Sequence, residues 1–448
     1  MNTLRRLVHA WRTRADRRPA LGHWLRPRQE DAVRDYPADG LTPARLLSIF
    51  READRGSLAA QMALFEQMEE KDAHLYSVAH TRRLAVTGLP WRIVSAADVP
   101  GGPDVDRRAA DAAAAWCAAV LHATPGLEES LVHLALALGR NLALVELVWR
   151  HGPRGPQLAE LVPVDFSRLL LDDHDRVRVL VDDHDREGRP LPPHKFIVHQ
   201  PEAVCGHPAR GGLLRVTALA YLAKHFALKD WLVFAEVFGM PVRIARYGPS
   251  ATAEEKRELL EMLKQLGADA VGVFSQAVQL DIQQPRMPGE TNLYENLCLY
   301  CDREISKAWL GQTLTTDTIR SRATAGAAQV HDRVRRDIRD DDLRKEAATI
   351  RRDLLTPLVR FRFGPRAPVP HFRRVLDQTL EPERLGAVLD VAVNRLGLRV
   401  PVRFAHAALG LPQAEGDEPV LSPHPDRRRP LRPPVVVEAD LNARAGAR

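Results

Sequence analysis

Cysteine is scarce in this chain, with four among 448 residues. Cys117, Cys205, Cys298 and Cys301 are too few and too unevenly placed to staple a secreted fold, which points to a reducing cytoplasm. Long apolar runs are missing as well. None approaches the roughly 20 residues that span a bilayer, and LVHAW near the start is too short for a signal-peptide core. The expectation is a protein made and used in solution, away from membranes. Catalytic signatures are also lacking: the chain has no GxxxxGK(S/T), HExxH or GxSxG. Phosphate-driven motion, zinc proteolysis and elbow-type acyl transfer therefore lack their minimum parts.

What is present is an ordinary folding composition, 45% hydrophobic and 27% charged, too apolar for a wholly disordered chain. The length exceeds that of one hydrophobic core and predicts roughly two or three domains. The net charge of +6 comes mainly from arginine, much of it near the ends. Arg5, Arg6, Arg12, Arg14, Arg17, Arg18, Arg26 and Arg28 precede the first clear helix, and Arg427, Arg428, Arg429 and Arg432 lie in a Pro-rich tail. Such clusters favour phosphate or acidic partners through counterion release, and equally serve as solvated arms.

Periodicity divides the chain further. Residues 1–40 read as a basic arm. From Thr42 to His80, Leu46, Ile49, Phe50, Leu58, Met62, Leu64, Phe65, Met68 and Leu75 form a discontinuous apolar stripe that predicts two helices. RLAVTGLPWRIVSA reads as strand, turn, strand around Gly88 and Pro90, and helices follow over 104–122 and 127–138. ALVELVWRHG, LAELVPVD, FSRLLLDD, VRVLV and KFIVHQP are predicted strands. A helix of about 25 residues ends at Gly239 before Pro241, with Leu219, Leu222, Phe226, Trp231, Phe234 and Phe238 making a broad apolar face. Next come a strand PVRIARY, a helix capped by Ser250 or Thr252, and short strands AVGVF and VQLDIQQ. A second long helix covers 293–310 and a charged one 327–359, which Pro357 should kink or end. Past residue 377 a short helix, a strand-like LRVPVRF and another short helix precede the tail.

Two motifs invite metal chemistry. The doubled DDHDR at 172–176 and 182–186 offers Asp172, Asp175, Asp182 and Asp185 as ligands for a phosphodiesterase ion pair. Adjacent side chains on an extended segment diverge, however, and both copies sit where polar turns belong. Cys298 and Cys301 form a single CxxC inside a helical pattern, without the four ligands of structural zinc or the strand-to-helix setting of a redox pair; packing explains them better. The mixed-sign run HDRVRRDIRDDDLRKE reads as a solvated or intersubunit salt-bridge face. No metal and no cofactor is expected.

DGLTPARLLSIF, QMEEKDAHLYSVAHTRRLAVTGLPWRI, KFIVHQ, GLLRVTALAYLAKHFALKDWLVFAEVFGMPVRIARYG, DREISKAWLGQTLTTD and AGAAQVHDRVRRDI stand in an order and at a spacing that resembles the portal proteins of Mu-like phages and prophages. The resemblance covers nearly the whole chain and implies an α+β portal fold with a wing, a helical stem, an α/β clip and a small crown-side domain. By that likeness 1–40 is a basic arm, 41–212 the wing, 213–240 the first stem helix, 241–289 the clip, 290–312 the second stem helix, 313–326 a tunnel loop, 327–364 a long wing and tunnel helix, 365–418 the crown-side domain and 419–448 a flexible tail.

The same resemblance implies a non-enzymatic ring, dodecameric in the family, at the unique capsid vertex of the virion, assembled in the host cytoplasm. It would conduct double-stranded DNA during packaging and ejection. Its partners would be the terminase large subunit, the major capsid and scaffold proteins, and head-completion or connector proteins. Passing duplex without reading it calls for sparse cations on polar loops, so Arg320 and Arg322 are the expected phosphate contacts, helped by Lys307 if its helix face points inward. Thr315, Thr316 and Asp317 shape the tunnel loop. Arg243, Arg246 and Tyr247 are the clip residues expected to face terminase. Two other classes fit the residues alone: a metal-dependent phage nuclease built on the four aspartates, and a monomeric basic DNA-binding adaptor.

Overall fold

A strand buried on both faces organises the first half of the chain. In the computed structural model, which describes residues 19–26, 40–101, 105–153, 155–201, 207–239, 243–247, 250, 252–265, 271–275, 293–313, 325–376 and 382–411, the strand Ala143–Gly152 is central to an antiparallel sheet between Gly155–Pro163 and Phe196–His199. Alternate side chains of a strand point to opposite faces. Leu144 accordingly joins one hydrophobic cluster, while Ala143, Val145, Leu147 and Trp149 join another. A register shift between Val148 and Trp149 bends the strand where Trp149 fills the second cluster.

Three helices, which share a hydrophobic cluster with Leu144 and Phe196 of this sheet, form where the apolar stripe predicts two: Pro43–Ala53, Ala59–Lys71 and Ala73–Thr87. Thr42 caps the first, accepting the Arg45 N–H at 3.2 Å. Asp72 ends the second and caps the third through the His74 and Leu75 N–H groups. The middle helix buries Leu64, Phe65 and Met68 together with Gln61, Gln67 and Glu69. Such all-round burial is tolerable because the polar groups are met: Gln61 donates to the Ala209 carbonyl, and Glu69 pairs with Arg140 at 2.8 Å and with Arg83.

The reading of RLAVTGLPWRIVSA as a hairpin is corrected here. Arg83–Thr87 belong to the third helix, which closes as the Gly88 N–H reaches the Leu84 carbonyl, and only Trp91–Val94 is a strand. The alternation Arg-Leu-Ala-Val imitates a strand, but Arg82 is held on Asp342 and Arg83 on Glu69, and both contacts require the helical face. Tertiary ion pairs override local pattern. Trp91–Val94 instead pairs antiparallel with His371–Arg374, far along the chain.

Part of the arm is likewise integrated into the core. Gly22 bridges to Trp149, the Trp24 and Leu25 N–H groups donate to the Glu146 carboxylate, and Lys195 Nζ holds Glu146 at 3.1 Å while donating to the Gly22 and Leu147 carbonyls. Trp24 lies edge-on to Phe196 at 5.6 Å.

The predicted long helices form at Leu213–Gly239 and Leu293–Leu310. Gly212 opens the first at a close crossing, where a Cβ would meet the Gly139 carbonyl oxygen at 2.1 Å. Between the two helices lie Arg243–Tyr247, the helix Ala253–Gln265 and Val271–Ser275; the two strands pair in parallel, a βαβ unit. Thr252, rather than Ser250, is the cap: its hydroxyl accepts the Glu255 N–H and Glu255 returns to the Thr252 N–H, a reciprocal capping box. VQLDIQQ lies outside the described residues.

The charged helix spans Ala325–Ile350, passes through a π-helical turn at 351–355 and continues from Thr356 to Phe363. Pro357 therefore does not end it. The wider turn accommodates the residue that has no N–H to give, and Gly364, at φ 92°, terminates the helix. The chain divides into two compact units after Val375. The second contains Pro382–Asp390, a π turn at 391–395 and Val402–Leu409. The strand expected from LRVPVRF does not form: the Phe404 and Ala405 N–H groups bond to the Pro401 carbonyl, so the proline starts a helix.

Candidate assembly and DNA-channel surfaces

The long helices Leu213–Gly239 and Leu293–Leu310 pack against each other and are fixed in register by two contacts. Near the first unit's core, Lys224 bridges Asp302 at 2.6 Å and Asp72 at 2.9 Å. Farther along, Phe234 meets Tyr294 with ring centroids 6.0 Å apart. Burial works against the Lys224 charge, but its bonds to Asp302 and Asp72 outweigh that and raise its pKa. Cys298 and Cys301 are buried beside this bridge, and burial raises both thiol pKa values, so they act as packing groups.

The opposite faces of the same helices are bare. On the first, Leu219 is 69% exposed, with Val216, Phe226 and Val233 also open; on the second, Leu293, Leu297 and Tyr300 are open. Intramolecular packing thus takes only part of the broad apolar face that the sequence displays, burying Leu222 and leaving Leu219 out.

The expected contact residues are distributed as follows. Lys307 is exposed on the second long helix and ion-paired with Glu304 at 2.6 Å, which offsets its charge toward a phosphate. Arg320, Arg322, Thr315, Thr316 and Asp317 lie outside the described residues. Arg243, Arg246 and Tyr247 sit on the first strand of the βαβ unit, in register with Val271, Phe274 and Ser275.

The DDHDR repeats are turns. Asp172 accepts the N–H groups of His174 and Arg176 and the Arg176 side chain; Asp182 accepts the His184 N–H; Asp185 accepts those of Val181 and Gly188. Asp175 adopts φ 58° and faces His207 at 3.0 Å. These oxygens are engaged in closing loops. Among the described residues no group of three or more His, Cys, Asp and Glu side chains is placed to hold a metal. No helix among them is long and apolar enough to cross a membrane.

The family model for the portal protein of Mu bacteriophage matches residues 62–411. The chain belongs to the Mu portal family. It is 30% identical over 407 residues to the portal protein of Escherichia phage Mu, covering 88% of this chain and 75% of that one. The Mu-like prophage FluMu protein gp29 of Haemophilus influenzae is 30% identical over 396 residues, covering 87% and 74%. Among solved structures, a chain from the neck of an empty gene transfer agent particle is 16% identical, with 83% of this chain and 95% of that chain covered and a TM-score of 0.47. This chain carries features that local pattern did not reveal: the Lys195 and Glu146 clasp, the Lys224 bridge and the Arg82 pair with Asp342 all join residues more than 45 positions apart.

Proposed function

We propose that the chain is the portal subunit of a Mu-like phage or prophage: copies form a ring at the unique capsid vertex, and double-stranded DNA passes through it during packaging and ejection. The observation that carries this reading is the family match along most of the chain. In this reading the pair of long helices is the stem, the enclosed βαβ unit is the clip, residues 41–212 are most of the wing, and the second unit lies on the crown side. The role is structural; an ATP-driven packaging motor is a separate protein, since the chain has no phosphate-binding loop.

Arg320 and Arg322, in the polar sequence that follows the second long helix, are the proposed transient phosphate contacts, and Arg243, Arg246 and Tyr247 of the clip are the proposed face for the terminase large subunit and, later, head-completion proteins. Major capsid and scaffold proteins would meet the wing during assembly in the host cytoplasm. Mass photometry with negative-stain imaging of the purified protein tests the ring. A closed ring with a central hole is the expected result; protein that stays monomeric under every assembly condition and is missing from capsids would overturn the proposal.

A further inference from the structure

A small cavity lies where the helix Ala73–Thr87, the end of Leu293–Leu310 and the charged helix Ala325–Ile350 meet. The first contributes Thr81, Arg82 and Ala85, the second Trp309 and Leu310, and the third Arg335, Ile338 and Arg339. Gly311, at φ 67°, turns the chain out of the second helix directly against the third. A Cβ there would stand 2.9 Å from Val334 Cγ1 and 3.0 Å from Ile338 Cδ1.

The lining is chemically one-sided. It brings together three guanidinium groups, an indole and a hydroxyl, and among the described residues that line it there is no carboxylate. Trp309 is fully buried, and its Nε1 has no hydrogen-bond partner among the described residues. A buried donor left unmet is destabilising, so a ligand that accepts from it is favoured. Arg82 is clamped in place: Nε and Nη2 hold the Asp342 carboxylate at 2.9 and 3.0 Å, and Nη1 donates to the Trp309 carbonyl at 2.9 Å. Those bonds tie all three helices together around the cavity. Arg339 pairs with its neighbour Asp340 at 2.8 Å, while Arg335 is exposed and makes no ion pair among the described residues. Three arginines against two carboxylates leave a positive charge at the cavity. Water would satisfy the indole N–H but not that charge.

Size narrows the choice of anion. The cavity measures about 10 Å³, room for one oxygen-sized atom. Guanidinium forks suit oxyanions, and phosphate above all, because several oxygens can accept from them at once. The geometry points to a phosphate-binding site at this junction: one phosphate oxygen enters the cavity and accepts from Trp309 Nε1, and the others accept from Arg335 and Arg339. The site lies within one copy of the chain and does not depend on the ring reading. Free phosphate and the phosphodiester of a nucleic acid present the same oxygens, so the test separates the two sources.

Calorimetric titration of the full-length protein with inorganic phosphate tests it, with sodium chloride holding the ionic strength constant and sodium chloride alone as the control titrant. The expected result is one saturable site per chain, with affinity roughly tenfold weaker in Arg335→Gln and in Trp309→Phe, which keeps an aromatic ring but has no N–H. Arg335 is exposed, so Arg335→Gln also covers the case in which Trp309→Phe fails to fold. Arg333→Gln, an exposed arginine on the same helix that does not line the cavity, should bind phosphate as the wild type does. Wild-type protein that takes up no phosphate would overturn the site. So would chloride heats equal to those of phosphate, or one affinity shared by the wild type, Arg335→Gln and Arg333→Gln, since either marks a general charge effect. A short DNA duplex titrated with and without saturating phosphate then assigns the source. Competition that disappears in Arg335→Gln identifies the nucleic-acid backbone as the ligand, and phosphate binding that the duplex leaves untouched identifies the free ion.

Discussion

At the scale of single residues, several buried charges are held by opposite charges, Glu69 by Arg140 and Lys195 by Glu146. Lys195 and Glu146 are both buried, and burial pulls the Lys195 pKa down despite the carboxylate beside it. Lys195→Met alone leaves Glu146 as an uncompensated buried anion and should cost about 3–5 kcal/mol in urea unfolding, while Lys195→Met with Glu146→Leu should recover part of that loss. If the single and double variants unfold at the same midpoint, the pair is not coupled. Acid stability follows from three other residues. Burial, with Arg140 nearby, lowers His133 to about 4, and burial, with Arg352 and Lys345 nearby, lowers His199 to about 4. Burial raises the Glu69 carboxyl, but Arg140 and Arg83 outweigh it and the net shift is downward. All three folded-state values lie below the unfolded ones. The unfolded chain therefore binds protons first, and the stability these groups give is complete above pH about 6.5 for the histidines and above the ordinary glutamate value for Glu69, and is lost as pH falls through the folded-state values. The melting temperature should begin to drop below pH about 6.5, and His199→Gln should flatten the upper part of that slope; an unchanged slope would show that His199 does not set it.

At the scale of elements, legibility depended on whether the deciding contact was local. The helix at 253–265 was readable because its cap is four residues long: Thr252 and Glu255 answer each other. Thr252→Ala should cost about 1 kcal/mol in that helix, read as faster amide exchange over 253–258 relative to wild type. The two long helices were readable from spacing, and the DDHDR turns from Asp chemistry. What misled were short segments whose state is set at a distance. Arg83–Thr87 is helical because of Glu69 and Asp342, and Trp91–Val94 finds its strand partner at 371–374. Pro357 did not end its helix because a π turn precedes it, a backbone option that composition does not announce. Of the candidate contact residues, the sequence named Lys307 but could not show its pairing with Glu304 or the face it shares with Tyr300, since both emerge only once the helix has neighbours. Gly212 belongs to the same lesson. It stands at the start of the first long helix, where a methyl group would lie 2.1 Å from the Gly139 carbonyl oxygen. Gly212→Ala should lower stability by about 1–3 kcal/mol by denaturant titration, although alanine is the better helix former; a stabilised variant would contradict that crossing.

At the scale of the whole molecule, assembly and passage of DNA should be separable. Arg320→Ala with Arg322→Ala changes residues beyond the helix Leu293–Leu310 and none of the exposed apolar side chains of the two long helices. The variant should keep the native ring mass while the DNA retained per capsid falls severalfold; a loss of ring mass would place these arginines in assembly instead. The pairing of Trp91–Val94 with His371–Arg374 bears on how the molecule comes into being. Translation makes the second strand some 277 residues after the first, a delay of roughly 15–55 s at about 5–20 residues per second. Through that interval Trp91 has His122 to stack on but not Phe372, and the nascent chain presents an unpaired strand edge to everything on the same polysome. Sister chains emerging together, each with an open edge and exposed apolar side chains on the two long helices, are the population in which premature association would begin, so the timing of synthesis becomes a constraint on orderly assembly.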